Sequence, residues 1–230
     1  MGHEVEKAAR ERGHQVVYTL DNQSDWEQIQ LSPATVDAVI DFSTPDTAAR
    51  VVQRCLDARI SVVSGTTGWS SELGAIKDYC RSIHGSLFYA PNFSIGVNIF
   101  FEINRRLAAL LSQQDSFSAS VHEIHHIHKL DAPSGTAIAL ANDIIAENGR
   151  YSTWHLIPVD QTDIIPVTCE RVGEIPGTHS IQWSSASDTI EIKHTAHNRQ
   201  GFATGAVLAA EWLQGRSGVF GMSDLLNCGT

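Results

Sequence analysis

The sequence is poor in cysteine, and it lacks both a CxxC pair and a long apolar run. Its four cysteines, Cys55, Cys80, Cys169 and Cys228, are scattered over 230 residues, which is typical of reduced thiols in a cytoplasmic protein. No apolar stretch approaches the roughly 20 residues that span a membrane, and the polar start MGHEVEKAARERGH does not resemble a signal peptide. We therefore expect a cytoplasmic protein with no membrane partner.

Positive charge is also scarce. The chain has 16 Lys and Arg against 26 Asp and Glu, a formal net charge of −10 at pH 7, and no basic run. Nucleic-acid backbone binding depends on neutralising phosphates, so we expect no nucleic-acid partner. The shares of hydrophobic residues, 42%, and charged residues, 18%, are ordinary for a folded globular chain.

The first part of the chain alternates short apolar runs with amphipathic segments. This alternation predicts an α/β fold with a Rossmann-like, doubly wound parallel sheet that carries helices on both faces. The predicted order is helix 4–12, strand 15–20, strand 36–42, helix 47–58, strand 61–65, helix 71–83 and strand 86–90.

The pattern changes from about Phe93. The later segments predict an α+β domain, residues 94–204, inserted between the two parts of a nucleotide-binding domain, residues 1–93 and 205–230. Its later strands are expected to pair antiparallel, and the last helix of the chain is expected to pack on the first. The predicted order is helix 98–114, strand 116–126, helix 135–147, strands 164–171, 179–184 and 189–194, and helix 203–213.

Ligands of open parallel sheets bind at the carboxyl ends of the strands, and four such ends carry suitable residues. One of them, Phe42–Ser43–Thr44 after strand 36–42, is explained equally well as a helix cap. Asp21 follows strand 15–20, where it either binds a ribose hydroxyl or lies in a solvated turn. The loop Gly65–Thr66–Thr67 offers glycine for close backbone approach and two hydroxyl donors, although a bare turn explains it too. Ala90–Pro91–Asn92–Phe93 is either a hinge or a cofactor contact.

Histidine is concentrated in one short segment, at positions 122, 125, 126 and 128. Imidazole suits proton transfer near neutral pH, and Ser134–Gly135–Thr136 just downstream predicts a helix start that attracts an anion. In an extended chain, His125 and Lys129 would lie ~13 Å apart at ~3.3 Å per residue. One substrate can therefore meet both only if it bridges them or if the chain bends near position 128 or 129. The alternatives are a solvated polar strand and a metal site, but no HExxH or Cys/His spacing is present.

Five motifs taken together resemble the dihydrodipicolinate reductase family, and they occur in the expected order along nearly the whole chain. The resemblance implies an NAD(P)H-binding domain, a substrate domain that also builds a homotetramer, and hydride transfer to a cyclic dicarboxylate in diaminopimelate and lysine biosynthesis. The motifs are IDFSTPDTA, VVSGTTGW, YAPNFSIGVNIF, EIHHIHKLDAPSGTA and GEIPGTHSIQW.

The resemblance also implies roles for individual residues. His125 matches the general acid/base, Lys129 the proton donor and His126 a substrate contact. The loop that holds a substrate carboxylate matches Ser134, Gly135 and Thr136. The cofactor contacts match Gly65, Thr66, Thr67, Ala90, Pro91, Asn92 and Phe93. Asp21 holds the ribose-reading position with no Arg after it, so we expect NADH to serve at least as well as NADPH. No metal is implied.

The start of the sequence departs from the family pattern. Members begin with a strand and a glycine-rich loop, whereas this sequence begins at Met1–Gly2, at the tail of that loop. Three explanations are open. We favour an incomplete sequence or a start assigned too late. The others are a true truncation and a lost need for the cofactor. A complete chain would be expected to bind NAD(P)H weakly or not at all. A non-catalytic dicarboxylate-binding remnant and a metal-dependent hydrolase therefore stay open as alternatives.

Overall fold

The computed structural model describes residues 1–156, 161–198 and 200–227, so Cys228 lies outside the described residues. The chain divides into two compact units. The first unit comprises Met1–Asn98 and Gln200–Thr230, and the second comprises Ile99–Arg199. None of the helices in these described ranges is long and apolar enough to cross a bilayer.

The first unit contains a four-stranded parallel sheet in the order β1-β2-β3-β9. Helix α5 begins in this unit and continues into the second. The strands are β1 (Ala38–Asp41), β2 (Ser61–Ser64), β3 (Ser86–Tyr89) and β9 (Gly218–Phe220). The helices are α1 (Gly2–Glu11), α2 (Gln23–Gln28), α3 (Pro45–Asp57), α4 (Ser70–Ser82), α5 (Ile95–Leu110), α7 (Gln200–Leu213) and α8 (Met222–Leu225).

Both faces of this sheet are buried. Val62 and Leu87 pack into one apolar cluster with α3 and α4, whereas Val63 and Phe88 pack into another with α7. Successive strand residues point to opposite faces, so continuous apolar runs of this kind are buried only when helices cover both sides. The predicted doubly wound α/β class is confirmed.

The predicted strand 15–20 is wrong. Residues 14–21 form no strand, and the side chains of Val17 and Tyr18 are 46% and 44% exposed. A strand exists only through hydrogen bonds to a neighbour, and β1 is bonded only to β2 among the described residues. The apolar composition of 15–20 was therefore insufficient to make it a strand.

The last long helix packs on the first, as predicted. Val5 and Ala8 of α1 share an apolar cluster with Ala203 and Val207 of α7. Arg12 donates to the Glu211 carboxylate at 2.6 Å, and this hydrogen bond, with that of a neighbouring histidine, lowers the pKa of Glu211 to about 2.

The second unit contains a five-stranded mixed sheet in the order β5-β6-β4-β7-β8. Its strands are β4 (Ser118–His125), β5 (Thr153–Leu156), β6 (Ile164–Arg171), β7 (Gly177–Ser184) and β8 (Thr189–Ala196). Helix α6 (Gly135–Asn148) and the main part of α5, followed by the 3₁₀ turn Leu111–Gln113, complete the unit.

The prediction that the later strands, 164–171, 179–184 and 189–194, pair antiparallel is correct for β7 and β8, but β6 pairs with other strands. β7 runs antiparallel to both β4 and β8, but β6 runs parallel to β4 and to β5. The physical reason is α6, which follows β4 and gives the chain the long crossover that parallel neighbours require.

One face of β4 is buried along its whole length. Ala119, Val121, Glu123 and His125 alternate with more exposed residues, and the first two pack against α6 and the buried Trp183 of β7. The buried row therefore begins apolar and ends in a carboxylate and an imidazole, which are placed by the two-residue period of the strand.

Gly205 supplies a test of how closely α7 packs in the first unit. A Cβ at this position would lie 1.8 Å from the carbonyl oxygen of Phe93, whereas a Cβ at Gly201 of the same helix would meet only Ser94 Oγ, at 3.8 Å. We expect Gly205→Ala to lower the free energy of unfolding by ~1–3 kcal/mol through overpacking. Gly201→Ala, the matched control, should be neutral or slightly stabilising. Denaturant unfolding measures both, and equal stabilities would contradict the packing described here.

Candidate active site

The centre of the candidate site is the carboxylate of Glu123, which is completely buried. It accepts a hydrogen bond from the Ser134 amide at 3.0 Å and another from the Arg171 guanidinium at 3.1 Å. Burial by itself raises the pKa of Glu123, but the polar contacts of His179 and Ser134 outweigh it and hold that pKa well below its usual range. Glu123 is therefore an ionised carboxylate held inside the protein by its partners.

Two imidazoles face this carboxylate. His125 Nδ1 and His179 Nε2 each lie 3.6 Å from Glu123 Oε2, and the ring centroids are 5.0 Å apart. His179 Nε2 also lies 3.0 Å from Ser134 Oγ. Burial, together with the positive charges of Lys129 and Arg171, lowers the pKa of His125 to about 4 against the opposing effect of Glu123. The ring of His125 is therefore uncharged at neutral pH.

The chain bends directly after β4. The Lys129 amide donates to the His126 carbonyl at 3.1 Å, and the Val172 amide donates to the His125 carbonyl at 2.8 Å. A bend near residue 128 or 129, one of the two conditions for a substrate shared by His125 and Lys129, is therefore present. Lys129 Nζ donates to both carboxylate oxygens of Asp131, at 2.8 and 2.9 Å. The ammonium group thus comes close enough to His125 for its charge to lower the pKa of that ring.

Ser134 is the N-cap of α6, and its polar atoms are already hydrogen-bonded within the protein. Its Oγ accepts from the Ala137 amide at 3.2 Å as the helix cap, and the residue is 3% exposed. Gly135 is exposed and Thr136 half-buried; their amides belong to the first turn, where N–H groups have no acceptor within the helix. The amides of residues 135 and 136 are thus better placed to meet an anion than the Ser134 hydroxyl is.

A cavity of about 310 Å³ adjoins the bend, lined by His126, His128, Glu174, Pro176 and Asn198. His128 Nε2 lies 3.2 Å from a Glu174 carboxylate oxygen. His126 Nδ1 is buried and has no hydrogen-bond partner in the described part of the chain. His126 therefore lines the cavity, while its Nδ1 lies buried and unpaired among the described residues.

Sequence reasoning missed Glu123, Arg171 and His179. The alternation of β4 placed Glu123 two residues before His125 on the same face, and this spacing was sufficient to find it. The other two residues lie far along the chain, and only the sheet register brings them in, since His125 pairs with Arg171 and Glu123 with His179. No local pattern indicates such partners.

In the first unit, the loop after β2 is tied to a buried carboxylate at the end of β1. Asp41 Oδ2 accepts from the hydroxyls of Ser64 at 2.8 Å and Thr66 at 2.9 Å. At Gly65, a Cβ would lie 2.2 Å from the Phe42 ring. Within the described chain, the Thr66 hydroxyl therefore holds the loop to Asp41. Gly65 is required for the loop's shape because the Phe42 ring leaves no room for a side chain there.

The other predicted cofactor residues differ in exposure. Asp21, Thr67 and Pro91 are exposed and Asn92 is half-buried, whereas Ala90 and Phe93 are buried. Asn92 Oδ1 accepts from the Ser94 amide at 2.9 Å. The loops after β2 and β3 lie side by side because their strands are neighbours.

The predicted metal alternative built on four histidines does not form a ligand cluster. His122 points to the other side of β4, where its Nδ1 lies 2.6 Å from Thr168 Oγ1. The His/Cys/Asp/Glu group that does cluster within the described ranges is Glu123, His125 and His179. Among the described residues, the hydrolase alternative therefore lacks the ligand set that its four histidines would have supplied.

Comparisons with known proteins agree along the chain. Two family models, described as the N-terminus and the C-terminus of dihydrodipicolinate reductase, match residues 1–93 and 96–226. A 4-hydroxy-tetrahydrodipicolinate reductase from Christiangramia forsetii is 43% identical over 227 residues, which are 99% of this chain and 94% of that protein. One from Neisseria meningitidis serogroup C is 34% identical over 201 residues, 84% of this chain and 73% of that protein.

A solved structure has the same fold. It is a dipicolinate-bound dihydrodipicolinate reductase from Paenisporosarcina sp. TG-14, with a TM-score of 0.73 and 21% sequence identity. The match covers 96% of this chain and 92% of that one.

The uncharged state of His125 predicts how stability depends on pH. The folded pKa of about 4 lies below the ordinary value of 6.5, so the unfolded chain binds the proton first, and stability falls as the pH drops from about 6.5 towards 4. We expect this group to contribute a loss of about 2 kcal/mol between pH 7 and pH 5. Denaturant unfolding of wild type and His125→Gln at both pH values measures it, and an equal loss in the variant would contradict the assignment.

Proposed function

The chain belongs to the dihydrodipicolinate reductase family, and we propose that it reduces 4-hydroxy-tetrahydrodipicolinate to tetrahydrodipicolinate with NADH or NADPH in diaminopimelate and lysine biosynthesis. The matched family models and the names of the relatives support the reaction. The observation that carries the mechanism is the placement of His125 and Lys129 around one bend, next to the start of α6.

The substrate is a ring with two carboxylates, and the second unit supplies groups suited to it. One carboxylate binds to the first-turn amides of Gly135 and Thr136, where the helix dipole favours negative charge. Ser134 supports this loop through its hydrogen bond to Glu123. His126, which lines the 310 Å³ cavity, contacts the substrate.

The proton comes from the pair His125 and Lys129. In the net reaction, the 4-hydroxyl leaves as water and the ring takes up one hydride and one proton. A reduced nicotinamide, when bound, would supply the hydride, and the residues of this chain would supply the proton. We favour Lys129 as the proton donor. Its ammonium group is held by Asp131, and its side chain is 21% exposed to solvent. His125, fixed beside Glu123, orients the ring and hydrogen-bonds to it.

The exposed residues of the first unit are chemically suited to binding a dinucleotide. Thr67, Pro91 and Asn92 follow adjacent parallel strands at the edge where such folds bind ligands. Helix α1 has no side-chain cap at its start, so the amides of its first turn suit a phosphate. Gly65, Thr66, Ala90 and Phe93 support these contacts, since they are occupied by packing or hydrogen bonds. Asp21 binds the ribose.

A homotetramer and a cytoplasmic location are part of the proposal. Apolar side chains at helical spacing support assembly through the second unit, because Ile99, Ile103 and Leu110 of α5 are 43%, 45% and 75% exposed. Contiguous exposed apolar residues of this kind mark interaction surfaces. The scattered cysteines support a reducing compartment.

Loss of either proton-transfer residue tests the mechanism. We expect His125→Ala and Lys129→Ala each to lower kcat by ~10²–10⁴-fold, with a double variant that is less than additive because both act on one proton. Lys193→Ala is the matched control, since Lys193 is an exposed lysine on β8 of the same unit, and it should leave kcat unchanged. Steady-state kinetics measure all four variants, and near-normal turnover in both single variants would sink the proposal.

Cofactor choice tests the role of Asp21. A 2′-phosphate would meet this carboxylate with no arginine after it in the sequence, so kcat/KM with NADH should equal or exceed that with NADPH. Asp21→Ala should raise the NADPH value relative to NADH, whereas Asp37→Ala, which removes an exposed carboxylate elsewhere in the unit, should not. A clear NADPH preference in wild type, unaltered by Asp21→Ala, would exclude this role.

A further inference from the structure

We propose that Glu123, His125 and His179 form a binding site for a single zinc ion, and that zinc reversibly blocks the proposed reaction there. One carboxylate oxygen, one Nδ1 and one Nε2 lie within 4.8 Å of one another. Two imidazoles and a carboxylate are a ligand set that zinc uses in sites with an open fourth position.

Two of the three separations between these atoms are close to those of zinc geometry. Tetrahedral zinc with bonds of roughly 2.0–2.1 Å separates its ligand atoms by about 3.4 Å. Glu123 Oε2 lies 3.6 Å from His125 Nδ1 and 3.6 Å from His179 Nε2. The two nitrogens lie within 4.8 Å of each other, so side-chain rotation of the two imidazoles is the adjustment that would bring all three atoms onto one ion.

An unused buried nitrogen points into the same place. His125 Nδ1 has no hydrogen-bond partner among the described residues, and the side chain is only 8% exposed. Buried polar atoms are almost always paired. The ring is fixed with this nitrogen towards Glu123, which is the orientation that a metal ligand requires.

The existing contacts of the cluster allow the ion and limit its affinity. Arg171 occupies Glu123 Oε1, and the Ser134 amide takes one lone pair of Oε2, which leaves the second lone pair for the metal. His179 would exchange its contact with Ser134 Oγ for the ion. The positive charges of Arg171 and Lys129 oppose a cation nearby, so we expect a reversible site rather than a permanent one.

A zinc ion bound at this site would hold His125 by Nδ1. It would also place a divalent charge beside the proton-transfer pair, His125 and Lys129. Zinc should therefore inhibit turnover. This inhibitory effect rests on the proposed function, whereas binding of the ion does not.

Cobalt provides a direct readout, because four-coordinate Co²⁺ absorbs visible light and replaces zinc in such sites. Titration of the full-length chain with Co²⁺ should give a saturable spectrum at one ion per chain that Zn²⁺ abolishes. His179→Gln should weaken the dissociation constant by at least ~10-fold, since even loss of an outer-shell partner of a metal ligand costs 10–100-fold. His122→Gln, on the other face of β4, is the matched control and should bind as wild type does.

Absorption spectroscopy at the zinc edge covers the case in which His179→Gln does not fold. Wild type loaded with one zinc should show two imidazole nitrogens and a carboxylate oxygen around the ion. Binding that is unchanged in a folded His179→Gln, that is lost in His122→Gln, or that shows no imidazole ligands would overturn the site as adventitious surface binding. Zinc bound in this way but without inhibition would instead count against the proposed role of His125 and leave the site itself standing.

Discussion

The second unit depends on the hydrogen bonds and ion pairs of the buried Glu123 carboxylate. This carboxylate joins three strands and one helix, because its partners are Arg171 at the end of β6, His179 on β7 and Ser134 at the start of α6. A charge this deeply buried is tolerated only with such partners, and removal of one of them leaves the others unpaired. The position of His125 is therefore coupled to the correct pairing of β4 on both sides.

Much of the fold follows from periodicity in the sequence. Runs such as Val62–Val63 and Leu87–Phe88 indicate strands buried on both faces, and the structure agrees. Periodicity cannot identify the neighbour of a strand, however. This is why residues 15–20 were predicted as a strand and why β6 was expected to pair with another of the later strands, whereas it pairs with β4 and β5. The strands β5 and β9 were missed because, unlike β2 and β3, none of their residues is buried, and the pattern of a core strand is correspondingly weak in them.

The candidate site was predictable where its residues are local in sequence. The segment from His125 to Thr136 contains an imidazole, an ammonium group and a helix start within a dozen residues, and the bend between them follows from the distance they must cover. Arg171 and His179 come from other strands, so their part depends on register, which the sequence does not display. In the first unit, Gly65 and Thr66 contact Phe42 and Asp41 at the end of β1, so their partners are likewise distant in sequence.

The bend after β4 is held by backbone hydrogen bonds and by Arg171. The carbonyls of His125, His126 and Gly173 accept the amides of Val172, Lys129 and Ile127. The Arg171 guanidinium also donates to the carbonyls of Lys129 and Asp131. Two residues of this bend, Ile127 and Leu130, are 60% and 98% exposed. Evolution can therefore alter the outward surface of this segment freely, while the frame that carries its functional groups stays the same.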